Sequence, residues 1–268
     1  MKRLWTLLLA LAPLALPVTA GAQTASDEIA KYRAMLADGN PAELAQAQGE
    51  DLWKQKRGPK NASLEQCDFG KGPGVLKGVY AELPRYFADV DAVMDFESRL
   101  VHCMVTLQGL DRAQVTKKPF SSQGERPTDL EALVAYAVEE SRGAKIKVPQ
   151  NHPKEKAAYA RGERAFYYRG GPFDFSCASC HSGENQRIRL QDLPNLRKPE
   201  QAQKAFATWP AYRVSQGALR TMQWRMNDCF RQQRFPELIY GSQTSIDLIT
   251  FLGVMANGGS MDAPAIKR

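Results

Sequence analysis

The run Cys177-Ala178-Ser179-Cys180-His181 occurs once in this chain and has the form CxxCH. Thiols three positions apart lie about one helical turn apart, so both can add to the two vinyl groups of one porphyrin. The histidine that follows offers an imidazole nitrogen to iron at the same place. This is the attachment signature of a c-type haem, with Cys177 and Cys180 as covalent anchors and His181 as the proximal ligand.

The donor on the far side of the iron is open. Met222 and Met226 lie nearby in sequence, Met255 and Met261 further on, and methionine is the usual partner of histidine in cytochromes c. His102 and His152 precede the motif and are weaker rivals. Cys229 competes because of its surroundings. It lies in Trp224-Arg225-Met226-Asn227-Asp228-Cys229-Phe230-Arg231-Gln232-Gln233-Arg234, with Arg220 just upstream and Asp228 as the single opposing charge. Arg225 and Cys229 are spaced i, i+4, which puts both on one face of a helix. A nearby guanidinium favours the thiolate, and it can also hold an oxyanion through paired hydrogen bonds. The plainer alternative is a buried, inert cysteine beside a solvated cationic face.

The elements that position these residues follow from the pattern. Lys2 and Arg3, an apolar run from Leu4 to Val18 broken by Pro13 and Pro17, and Ala20-Gly21-Ala22 have the anatomy of a cleaved secretory signal. Residues 1–22 are therefore expected to be removed and the chain exported to the periplasm, where haem is attached and disulfides persist. The run is too short and proline-broken for a membrane span, and no later segment is apolar enough. Residues 23–60 read as a polar arm or peripheral helix anchored by Asp51-Leu52-Trp53. Helical periodicity is expected around Val90–Thr106, over Leu130–Ser141 with Asp129 near its start, over Glu155–Arg169 and over Ser245–Asn257. Lys145–Pro153 reads as a linker.

That order predicts a mainly α chain with two cytochrome c-like domains in tandem. Residues 61–150 form a degenerate copy without haem, and residues 151–268 form the copy that binds it. Net charge is +7, from 36 basic and 29 acidic residues. No Lys/Arg-rich tract suggests nucleic-acid binding, although small anions or an acidic protein partner remain natural companions. Of five cysteines, three are left once the haem is attached. The simplest division pairs Cys67 with Cys103 inside the first copy and leaves Cys229 with a separate job.

Four stretches together carry a family resemblance: Cys67-Asp68-Phe69-Gly70-Lys71-Gly72-Pro73-Gly74, Glu97-Ser98-Arg99-Leu100-Val101-His102-Cys103-Met104, Phe175-Ser176 with the CxxCH, and Arg225 to Arg234. The chain resembles SoxA, the larger cytochrome subunit of bacterial thiosulfate-oxidising SoxAX complexes. The resemblance implies one covalent haem c, His181 and Cys229 as its axial ligands, and Cys229 as a persulfide that takes part in catalysis. It implies that Arg225 binds substrate. Near Cys67 there is neither a second cysteine nor an adjacent histidine, so the chain looks like the mono-haem type, with Cys67 and Cys103 in a disulfide. The implied activity is that of an L-cysteine S-thiosulfotransferase. It joins thiosulfate oxidatively to a cysteine of a SoxYZ-like carrier and passes two electrons to c-type cytochrome, working as a heterodimer with a small SoxX-like cytochrome. Two rivals stand beside it: a plain electron carrier with His181 and Met222 or Met226 on the iron, and a haem-bearing structural subunit whose chemistry lies on another chain.

Overall fold

Each half of the chain holds a pair of helices packed closely at a glycine. The structure is a computed structural model and describes residues 25–35, 39–188 and 191–267. The expected signal and its cleavage near Ala22 lie outside them.

After a polar helix α1 (Ala25–Met35), α2 (Ala42–Lys54) buries Ala42, Ala45, Gly49 and Trp53 along one stripe. A hairpin follows, β1 (Arg85–Phe87) antiparallel to β2 (Ala92–Met94). It occupies the start of the helical pattern expected from Val90. Helix α3 (Phe96–Thr106) begins only where Asp95 caps it, the carboxylate accepting from Ser98 N at 2.8 Å. The short α4 (Arg112–Val115) is capped by Asp111. Helix α5 (Asp129–Glu139) starts from a capping box: Thr128 and Glu131 satisfy each other's backbone N–H groups. Thr128 is thus the cap, and Asp129 is an acidic residue in the first turn.

Cys67 and Cys103 are disulfide-bonded, with Cα atoms 5.7 Å apart, which ties the Gly-rich loop to α3. Helix α2 falls within the stretch read as an arm, yet it packs along α5. The two come so close at Gly49 that a Cβ there would overlap the Ala132 carbonyl and crowd Tyr136.

The second half opens with α6 (Pro153–Tyr167), started by a His152–Glu155 capping box and Pro153 in the first turn. Then come α7 (Cys177–His181), a small hairpin of β3 (Arg187–Ile188) and β4 (Gln191–Asp192), and α8 (Pro199–Phe206). Strands β5 (Ala211–Arg213) and β6 (Ala218–Arg220) lead into α9 (Met222–Gln232) and α10 (Gln243–Met255). Strand β7 (Ala265–Lys267) returns parallel to β5, giving the order β6-β5-β7. Helix α10 packs on α6, and a Cβ on Gly162 would overlap the Asp247 carbonyl and crowd Phe251. The glycine sits in the same relation to an i, i+4 pair in both halves.

The stretch expected to be a linker is packed. Ile146 and Val148 are buried, Ile146 N donates to Gly259 O (2.8 Å), Lys147 N to Ala81 O (2.8 Å) and Val148 N to Asn257 Oδ1 (2.7 Å). One apolar core runs through both halves, from Leu64, Phe96 and Leu133 to Phe166, Trp209 and Leu248. Among the described residues, no helix is long and apolar enough to cross a membrane.

Candidate functional site

Helix α7 is a single turn held at its start by Ser176 and Ser179, which cap each other. Its geometry fixes the spacing of the motif: Cys180 lies at i+3 and His181 at i+4 from Cys177. His181 Nδ1 is 3.0 Å from Pro194 O. A carbonyl only accepts, so Nδ1 carries the proton and Nε2 keeps the lone pair that a metal needs. Burial lowers the His181 pKa, with the Arg225 charge adding to the effect after the Pro194 contact opposes it, so the ring stays neutral. Burial also pushes the Cys177 thiol up to about 12.

Cys177 and His181 line a cavity of about 520 Å³. Its walls are largely apolar: Phe166 from α6, Leu193, Pro194 and Leu196 from the loop after β4, Phe206 from α8, Trp209, and Leu248 and Leu252 from α10. Helix α9 closes another side with Met222, Arg225, Met226 and Cys229. The helix starts at Thr221, whose hydroxyl accepts from Trp224 N (3.2 Å).

The four arginines of the expected cationic frame separate. Arg225 lines the cavity, and its Nη1 donates to Asp228 Oδ2 at 3.0 Å. Arg231 also reaches Asp228 (2.6 Å) but is largely exposed. Arg234 lies over the Phe173 ring, 5.4 Å from its centre. Arg220 is buried: it donates to Ser121 O (2.6 Å), pairs with Glu131 (3.3 Å) and stacks over Trp224 (4.7 Å). Arg220 therefore bolts β6 to the start of α5, away from the cavity. Cys229 corrects a second expectation. Although Arg225 pulls its pKa down, burial is the larger effect and the net shift is upward.

The rival donors separate as well. Met222 and Met226 line the cavity. Met255 contacts the Tyr159 hydroxyl (3.9 Å) and Met261 is core. His102 faces Asp89 (3.8 Å) in the first half. His152 caps α6 and stacks on Tyr86, ring centres 3.7 Å apart.

One residue invisible to the sequence reading joins the site. Arg213, at the end of β5, lines the cavity, and Arg225, Asp228 and Cys229 all act on its charge. It belongs to no motif, and it lies far from the CxxCH and from the Arg225–Arg234 stretch in any helical register.

The first half also grips the start of α9. Asp95 and Glu97 are only 3% and 2% exposed, with no ion pair among the described residues. Gln223 Nε2 donates to Asp95 Oδ2 (2.7 Å), and Thr221 Oγ1 donates to Glu97 Oε2 (3.2 Å). Burial first, and the Asp95 charge second, raise Glu97 to about 8. Tyr240 is half-buried, with its hydroxyl enclosed. Burial first, and the Glu97 and Asp95 carboxylates after it, hold its phenol well above the usual pKa, so it stays neutral.

Comparison with known proteins bears on this arrangement. The family model for the SoxA/TsdA cytochrome c domain matches residues 48–146. The L-cysteine S-thiosulfotransferase subunit SoxA of Hydrogenophilus thermoluteolus is 54% identical over 240 residues, covering 90% of this chain and 87% of that protein. A protein of the same name from Hydrogenobacter thermophilus is 30% identical over 275 residues, covering 100% of both. The chain belongs to the SoxA family. The crystal structure of SoxXA from P. pantotrophus contains a chain that matches with a TM-score of 0.73 at 23% identity, covering 89% of this chain and 84% of that one. At that identity the match speaks for the fold.

A cytochrome c family implies covalent haem c, and the residues fit it. The cavity is within the size range of cofactor sites and mostly apolar. At its edge stand a CxxCH turn and a histidine whose tautomer is set for coordination.

Proposed function

We propose that this chain is the haem-bearing catalytic subunit of a periplasmic L-cysteine S-thiosulfotransferase. A single observation carries the reading. The thiol of Cys229 and the guanidinium of Arg225 open into the same cavity as Cys177 and His181. In this reading one haem c would be held by Cys177 and Cys180 in the second of two tandem cytochrome c-like domains, with His181 and Cys229 as the residues that would ligate its iron. The first domain carries no haem. Its family match over residues 48–146 spans a stretch without CxxCH, and the two glycine-centred helix crossings support a duplicated plan. On that plan α2 is the opening helix of the first domain.

The chain's own residues then divide the work. Arg225, steadied by Asp228, holds the sulfonate end of thiosulfate by charge-assisted hydrogen bonds. The outer sulfur bonds to Cys229, giving a Cys229–S–S–sulfonate intermediate and releasing two electrons, one at a time, to a small SoxX-like cytochrome partner. A thiolate on a SoxYZ-like carrier attacks that outer sulfur. The S-thiosulfonate leaves on the carrier, and Cys229 recovers its thiolate. In a persulfidated enzyme the terminal sulfur of Cys229 takes the same part. When bound, the haem would supply one-electron acceptance. The apolar walls exclude water, which would otherwise compete for the activated sulfur.

The test is Cys229→Ala in the haem-loaded complex with thiosulfate, carrier and electron acceptor. Transfer is expected to vanish while haem content stays at the native level, because attachment rests on Cys177 and Cys180. Retained turnover would overturn the reading. A second reading follows from Met222 and Met226, which also line the cavity: an electron carrier with methionine on the iron. A methionine-to-iron charge-transfer band in the ferric spectrum would establish it.

A further inference from the structure

The cavity lining carries more positive charge than the proposed chemistry uses. Lys204, Arg213, Arg225 and Lys267 line the cavity, against Asp192 as the lining carboxylate. Asp192 is already paired with Arg187 (3.1 Å). Arg213 and Lys267 are register partners on adjacent strands. Like charges placed side by side on a sheet are destabilising unless something offsets them. Lys267 rests over the Trp209 ring, 5.5 Å from its centre. Arg213 has no such settlement: it forms no ion pair with any described residue, and its Nε is buried without a hydrogen-bond partner. The nearby carboxylate of Asp228 is occupied by Arg225, Arg231 and Gln232. Strand β5 is paired on both sides, which fixes the backbone of Arg213.

A half-buried guanidinium whose enclosed Nε is an unused donor, framed by cations, is an anion receptor. We propose that Arg213 is a substrate-binding residue, the second guanidinium of a clamp that with Arg225 grips the sulfonate of thiosulfate at Cys229. This rests on the function proposed above and names a binding residue that neither the resemblance nor the motifs supply. Two anions share the required chemistry: a sulfur oxyanion and a haem propionate. Arg213 lines the same cavity as Arg225 and Cys229, which favours the sulfur oxyanion.

The test uses Arg213→Gln and Arg213→Lys in the full haem-loaded complex, with normal haem content and helicity checked first. Sulfate, an unreactive tetrahedral dianion, is titrated by calorimetry without the carrier. With the carrier present, KM and kcat for thiosulfate are measured, and the haem midpoint potential is recorded. Arg213→Gln is expected to weaken sulfate and raise KM by about 10- to 100-fold, as for a lost hydrogen bond to a charged group. The change in kcat should be smaller. Arg213→Lys is expected to recover only part of the loss, because it restores the charge and not the fork. Unchanged sulfate affinity and KM overturn the proposal. If the potential shifts in that case, Arg213 serves the propionate. Loss of transfer in Cys229→Ala alongside a silent Arg213→Gln would sink this inference and leave the proposed function standing, whereas retained transfer in Cys229→Ala would sink the function itself.

Discussion

Glu97→Gln should change how stability depends on pH more than it changes stability at any one pH. Glu97 is buried beside Asp95 and its pKa stands at about 8, against 4.5 for an unperturbed side chain. The folded chain therefore holds a proton that the unfolded chain gives up. The protonated form is favoured by the fold, so its contribution is complete below pH 4.5 and is lost as pH rises toward 8. The difference is worth about 5 kcal/mol at full span, at about 1.4 kcal/mol per unit. Glutamine keeps an acceptor for the Thr221 hydroxyl and never ionises. Urea unfolding of the haem-loaded chain at pH 5, 6, 7 and 8 reads the effect. The wild-type chain should lose stability relative to Glu97→Gln by up to about 4 kcal/mol between pH 5 and pH 8. Only the pH-dependent difference counts, because a constant offset reports altered packing. Parallel curves would show that Glu97 is ionised throughout, and the argument from burial would fail.

Other perturbations separate structural from chemical roles. Arg220→Gln should cost about 3–5 kcal/mol by stranding the buried Glu131 carboxylate, seen as a lowered urea midpoint, with sulfate affinity unchanged in the fraction that folds. Cys103→Ser should cost about 2–4 kcal/mol by removing the Cys67 link, again by urea titration, with haem content intact. Gly162→Ala should be worse than a surface Gly→Ala change, by about 1–3 kcal/mol or more, because the added Cβ meets the Asp247 backbone. A thermal melt unchanged from wild type would refute that close helix contact.

Much of the site could be read from the chain because it is local. The CxxCH turn needs only one helical turn and the serine cap that starts it. The pairing of Arg225 with Cys229 needs only helical spacing. Four of the helices were visible in their apolar periodicity, though the strand hairpin at 85–94 delayed α3 and moved its start to Asp95. The packed stretch at 145–153 looked like a linker because its short apolar positions, Ile146 and Val148, have no helical period. Its role comes from partners more than 60 residues away on either side.

What the sequence determined by itself was the set of chemical groups and their spacing within single turns: two anchoring thiols, a histidine, and a thiol with a guanidinium one turn away. Tertiary structure decided which charges reach the cavity. Of the arginines clustered around Cys229, Arg220 turned inward to Glu131 and Arg225 turned to the site. Arg213 arrived from a strand whose register is set by residues 265–267. Backbone periodicity is local and therefore written along the chain. The electrostatics of a cavity depend on which distant segments enclose it, and only the fold supplies that.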